Sequence, residues 1–236
     1  MHALNANRGY LVYSTEVYDL TLTGAPKFAE RKWRPDLFNL TGFHVEPDSA
    51  PTFAQFFENA RSPADIKVFT LTPTDDSGRN HWKMLDPNTA IVSGAAYWVW
   101  YAGEPDYQGP LDIDLPGTGD GMTFRPGVTE LSLEVTNGSP NPLSFTLTQV
   151  GGLDPTLVPL SLVKSDPTAD PVVTYEDFIS FSPAQALEAG GSVSVRLAVR
   201  LDDMTDQEME SMLMIADDLG DRFYFPLKVE KGDTIR

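Results

Sequence analysis

Between residues 192 and 201 the side chains alternate: Val193, Val195, Leu197, Val199 and Leu201 fall on one side, Ser192, Ser194, Arg196, Ala198 and Arg200 on the other. Successive side chains leave an extended backbone on opposite faces, so a period of two held over ten residues fits a half-buried strand and no helix. The same period recurs at Leu131, Leu133 and Val135, at Leu143, Phe145 and Leu147, and at Phe223, Phe225, Leu227 and Val229. Such runs, separated by Gly-, Pro- and Asn-rich stretches, predict a two-sheet sandwich of immunoglobulin type. Cysteine is absent, so this sandwich lacks the usual inter-sheet disulfide and is held by packing alone. Residues 137–142 (Asn-Gly-Ser-Pro-Asn-Pro) read as the turn of a hairpin-like pair. Thr205 and Glu208 have capping-box spacing, and Met204 is placed to staple onto Met209; together they predict a helical turn within residues 204–213. A last hairpin then turns through residues 216–221.

The 236 residues exceed what one sandwich needs, and the first half has a different character. All four Trp lie before residue 101. Strand-like runs occupy residues 10–14, 18–23, 38–45, 66–71, 81–85, 96–101 and 111–115, rich in β-branched and aromatic side chains. One helix is predicted near 51–61: Phe53, Phe56, Phe57 and Ala60 share a face, Asp48, Ser49 and Pro51 supply start signals, and Pro63 stops it. Glycines and a proline at residues 115–121 punctuate the chain. The reading is therefore mostly β: an aromatic-rich β domain over 1–117, then an immunoglobulin-like β-sandwich over 118–236.

Acidic residues number 34 against 17 basic, a net charge of −17 that repels phosphate backbones and anionic lipid. Nucleic acid is excluded as a partner, and no apolar stretch approaches the roughly 18–20 residues of a spanning helix, which excludes membrane insertion by that route. The first residues show neither a basic n-region nor an apolar h-region, so an export signal is not part of this sequence.

The search for chemistry yields few convergent groups. His44, Glu46 and Asp48 share a face if extended, but Pro47 interrupts them and an ordinary strand end is the expectation. Asp112 and Asp114 flank Ile113 and would sit about 6–7 Å apart, within the separation glycosidases use, yet two carboxylates on one strand do not bracket a sugar ring. No Gly-x-Ser-x-Gly elbow is present. Calcium is the one candidate cofactor, through Asp75 and Asp76 beside Gly78, and through Asp217, Asp218 and Asp221; Asp202, Asp203 and Asp206 form a further acidic loop. The sharpest local feature is Tyr97-Trp98-Val99-Trp100-Tyr101. On a strand Trp98 and Trp100 share one face, and with Trp82 and Tyr107 they would offer an aromatic platform for sugar rings.

Two motifs carry a resemblance. Phe38-Asn39-Leu40-Thr41-Gly42-Phe43 and, some fifty residues on, Gly94-Ala95-Ala96-Tyr97-Trp98-Val99 resemble the strand signatures of a β-rich repeat unit found in large secreted or surface-anchored bacterial proteins, where Trp is commoner at the position of Phe38. Gly9-Tyr10-Leu11-Val12 with Leu20-Thr21-Leu22-Thr23-Gly24 resembles the close of a preceding unit, and the acidic half is similar to the immunoglobulin-like domains that accompany such units. The resemblance implies a secreted or cell-surface, non-catalytic structural or adhesive module whose partners are other protein domains or copies of itself. A carbohydrate-binding module that takes glycans on Trp98, Trp100, Tyr107 and Trp82 is the alternative. Residues 9–14 are the candidate donor for strand addition between copies.

Overall fold

A computed structural model describes residues 15, 16, 19, 21, 31–72, 80–117, 121–151 and 156–232. The predicted strand at 10–14 and most of that at 18–23 lie outside them. The chain is mostly β and divides into two compact units, one of residues 1–110 with 219–221, the other of 111–218 with 222–236.

Among the described residues the first unit is a four-stranded antiparallel sheet with one short α-helix and a 3-10 turn at Pro63–Asp65. Its elements are β1 (Leu37–Gly42), α1 (Phe53–Phe56), β2 (Lys67–Leu71), β3 (Trp82–Met84) and β4 (Ala96–Tyr101), and the sheet order is β1-β4-β2-β3. Helix α1 opens with a reciprocal cap: Gln55 N donates to Thr52 Oγ1 at 3.2 Å, and Thr52 N donates to Gln55 Oε1 at 2.9 Å. It is shorter than the predicted 51–61. After Phe57 N bonds Phe53 O, the bonding tightens to three-residue spacing (Glu58 N to Gln55 O, Ala60 N to Phe57 O), and Ser62 turns left-handed at φ 55° before Pro63. The predicted stripe is nevertheless a core face, since Phe53, Phe56, Phe57 and Ala60 are all buried. They pack with Trp33, Phe43, Tyr97, Val99 and Tyr101 in one aromatic core, its rings mostly edge-to-face, as at Phe43–Phe56 (4.9 Å, 80°).

The second unit contains β5 (Leu111–Asp114), β6 (Met122–Phe124), β7 (Glu130–Asn137), β8 (Phe145–Val150), β9 (Leu160–Ser165), β10 (Val173–Asp177), β11 (Ser180–Phe181), β12 (Ser192–Val199), β13 (Glu208–Asp217) and β14 (Arg222–Glu230). They form two five-stranded sheets, β10-β9-β12-β7-β5 and β11-β8-β13-β14-β6. The chain leaves one sheet after β5 and enters the other at β6, which runs parallel to β14. This is an immunoglobulin-like β-sandwich. Its core is the inward half of each alternation: Leu133 and Val135, Phe145 and Leu147, Val195 and Leu197, Leu213 and Ile215, Phe225 and Leu227.

Three expectations are corrected here. Strand β5, assigned to the first half by the sequence reading, pairs with β7, so the second unit begins at Leu111 rather than after residue 117. Strands β7 and β8 are not a hairpin; they belong to different sheets. Residues 137–142 form a wide bend organised by the fully buried Asn137, whose Nδ2 donates to Asn141 O (2.8 Å) and Leu187 O (2.7 Å) and whose Oδ1 accepts from Ser139 N (2.8 Å). The helical turn expected within 204–213 is a strand from Glu208 onward, preceded by a 3-10 turn at Leu201–Asp203. Met209, Ser211, Leu213 and Ile215 are buried with period two, and β13 pairs on both flanks, with β14 and β8. Two full ladders outweigh the costly nucleus of a one-turn helix.

Candidate contact surface

In the four-stranded sheet the β4 residues Tyr97, Val99 and Tyr101 point into the core, which sends Trp98 and Trp100 to the opposite face. The register gathers further rings around them. Phe38 stands opposite Trp100 and Leu40 opposite Trp98; Phe69 stands opposite both Trp98 and Met84, and Leu71 opposite Trp82. Paired residues in antiparallel strands share a face, so the outer surface of this sheet is aromatic across all four strands. It is open to solvent: Phe38 is 44% exposed, Trp82 38% and Trp98 37%. Contiguous apolar surface of this kind is characteristic of interaction sites.

The rings are not coplanar. Trp82 and Trp98 lie 5.6 Å apart at 46°, Phe38 and Trp98 5.5 Å apart at 48°, and Phe38 meets Trp100 edge-on at 5.2 Å and 71°. The result is a ridged, herringbone surface, which suits interdigitating side chains better than a flat run of sugar rings. Of the four platform candidates, Trp82, Trp98 and Trp100 share this face. Tyr107 does not: it packs against Phe56 and Phe57 on the core side, its hydroxyl donates to Phe56 O, and the Asn59 side chain is its second polar partner at 2.6 Å. Burial, with Asp221 second, pushes its phenol far up.

On the core side lies a residue that sequence reasoning missed. The Arg31 guanidinium sits over the rings of Phe43 (4.7 Å), Trp33 (5.4 Å) and Phe56 (5.5 Å), and its Nη2 donates to Gly42 O at 3.1 Å. The Arg31 main chain is gripped by Gln108, whose Oε1 accepts from Arg31 N and whose Nε2 donates to Arg31 O, both at 2.8 Å. Burial lowers the Arg31 pKa to about 10, against the opposing effects of Asp221 and Tyr107, so it remains a cation at neutral pH. A lone Arg near aromatic positions has no sequence signature that marks such a cage.

A cleft of about 840 Å³ opens beside α1, walled by Phe53, Phe57, Ile66, Val68 and Leu85, with Gln55, Glu58 and Lys67 also lining it. The Phe stripe signalled only a core face, and the sequence held no sign that part of it borders a cleft.

The remaining candidates do not converge. His44 and Asp48 are exposed and Glu46 is half-buried. Asp112 and Asp114 lie exposed on β5, opposite Thr136 and Glu134. Asp75 and Asp76 lie outside the described residues. Asp217 closes β13, and Asp218 accepts from Ser144 N at 3.2 Å. Among the described residues no three His, Asp or Glu side chains gather in a way that could hold a metal ion.

Fold and surface together define a mostly β chain with an immunoglobulin-like sandwich and a separate aromatic-faced sheet. The sequence matches no family model and no curated protein. Among solved structures it is similar to a PapD-like domain of human CEP192 (16% identity, 53% of this chain and 87% of that one, TM-score 0.30). It is similar also to the YadV chaperone (12%, 54% and 54%, 0.34) and to the Pseudomonas aeruginosa CupB2 chaperone (23%, 51% and 56%, 0.32). The chain spans about half the length of these two chaperones.

Proposed function

We propose that this chain is a non-catalytic structural or adhesive module of an exported bacterial surface protein, and that it works by protein contact through the outer face of the four-stranded sheet. The observation that carries the reading is the aromatic outer face of the sheet, where Phe38, Trp82 and Trp98 are open to solvent and Trp100 is half-buried beside them. A domain that needed these rings only for stability would bury them, as it buries Tyr97 and Tyr101 one residue away. The two strand motifs that resemble a bacterial surface repeat are the basis for placing it outside the cell.

The test is attachment. Laboratory bacteria displaying the chain are measured for adhesion to surfaces coated with purified proteins and, separately, with polysaccharides. Display should raise adhesion to a protein surface, and Phe38→Ser with Trp98→Ser should lower it at least tenfold while the protein stays folded. Adhesion no greater than that of bare cells, or equal adhesion by the variant, overturns the reading. A glycan-binding reading is favoured by one observation, that Trp82 and Trp98 are neighbours each more than a third exposed. It predicts retention on polysaccharide that Trp98→Ala abolishes.

A further inference from the structure

The outer face of the four-stranded sheet carries a single charge. Register puts Phe38, Trp100 and Lys67 in one row across β1, β4 and β2, and Leu40, Trp98, Phe69 and Met84 in the next. Within the four strands Lys67 is the one charged side chain on this face, and no carboxylate stands there. Lys67 is exposed and forms no ion pair with a described carboxylate. Asp86, just past β3, turns its carboxylate onto Asn88 instead, accepting from N at 2.8 Å and from Nδ2 at 3.1 Å. The start of the β1 border is taken up by a side chain: Asn39 Nδ2 donates to Leu37 O (3.0 Å) and Arg34 O (3.2 Å), and its Oδ1 accepts from Arg34 N (2.9 Å). A partner therefore meets the face itself rather than that border.

Size and charge together select the occupant. Four strands about 4.8 Å apart, with a six-residue β4 rising about 3.3 Å per residue, give the face a footprint of roughly 400 Å², half of the about 800 Å² that each partner contributes to a standard stable interface. One extended or helical segment covers such a footprint; a globular partner would need as much surface again elsewhere. A second copy is disfavoured by charge. In an isologous contact the face meets itself, and both Lys67 ammonium groups would lose water with no counter-ion supplied. A segment that covers Trp100 also dehydrates Lys67 beside it, so it must bring an anion to that spot. The net charge of −17 repels a strongly acidic partner, which limits the anion to a lone carboxylate in an apolar stretch. We infer that the contact surface proposed above, on which this step rests, takes a short apolar segment of another protein, seated with one Asp or Glu side chain against Lys67.

The probe is a library of random peptides displayed on phage and selected on the full chain. Binders are kept when Phe38→Ser with Trp98→Ser abolishes their retention, which confines them to this face. They should share an apolar run with one Asp or Glu at a fixed place, and the synthetic peptides should bind Lys67→Glu at least tenfold more weakly than the wild type. A fresh selection on Lys67→Glu should return Lys or Arg at that place. If Lys67→Glu is misfolded by circular dichroism, Lys67→Gln takes its part: it should bind each peptide and its carboxamide analogue equally, where the wild type prefers the carboxylate. The proposal is overturned by a library that yields no binder dependent on the aromatic face, by binders without an acidic position, or by an acidic preference that persists after Lys67 is changed. Adhesion lost with the serine variants, beside peptides indifferent to Lys67, removes the carboxylate-bearing partner and leaves the contact surface standing. Adhesion indifferent to the serine variants removes the surface reading itself.

Discussion

The Arg31 guanidinium lies over three rings of the first unit's aromatic core. Lysine keeps the charge but loses the flat guanidinium that lies over three rings and reaches Gly42 O, so Arg31→Lys should destabilise by about 1–2 kcal/mol in urea denaturation. Tyr101 poses the opposite case. Its ring is fully buried, its hydroxyl has no hydrogen-bond partner among the described residues, and burial, then Glu104 and Asp106, pushes its phenol far up. Tyr101→Phe should thus be neutral or stabilising by up to about 1 kcal/mol. Gly103→Ala should cost about 1–3 kcal/mol, since the new methyl would strike that buried ring at its hydroxyl and Cζ. His44 gives a pH signature. Although part of its ring is exposed, desolvation by the surrounding protein, with Arg31 second, holds its pKa below the ordinary 6.5, so the unfolded chain takes up its proton first. Stability is whole above that value and declines as pH falls through it, with a shallow slope because the side chain keeps contact with solvent. His44→Gln should flatten the fall in denaturation midpoint between pH 7.5 and 5. These residue roles were not legible in the sequence: the Arg31 main chain is held by Gln108, 77 positions on, and the Trp33 indole donates to Tyr107 O, 74 positions on, whereas the side taken by Trp98 and Trp100 was legible because one strand's own parity sets it.

At the scale of elements, strands were readable wherever a half-buried sheet imposed its period, as at β7, β8, β12 and β14. Pairing was not. The period says which side chains go inward but not which strand lies alongside, so β7 and β8 read as neighbours although Asn137 carries the chain from one sheet to the other. Asn137→Ala, which strips three hydrogen bonds from a fully buried bend, should cost about 2–4 kcal/mol and more than any change on the solvent faces of β7. The start of β6 depends on another close approach. Gly121 sits at φ 145°, and a Cβ there would lie 2.6 Å from Pro226 O, so Gly121→Ala should detach β6 from β14 and speed amide exchange at residues 122–124. At residues 204–213 the capping-box spacing pointed to a helical turn, and a strand buried with period two from Met209 to Ile215 formed instead because β14 and β8 were present to pair with it.

Over the whole molecule the excess of acid is the dominant field. With a net charge of −17 and an isoelectric point near 4.4, raising sodium chloride from low to physiological strength should raise the melting temperature by a few degrees, and solubility should be least near pH 4.4. The division into two units was legible as a change in aromatic content, but its position was not: Leu111–Asp114 has strand character that would suit either neighbour, and only its pairing with β7 assigns it. The unequal finish of the first sheet bears on how such modules could be strung together. Asn39 ties off the start of the β1 border, and among the described residues no side chain does the same along β3. Any filament built by adding strands at one border only would be polar, with unlike ends.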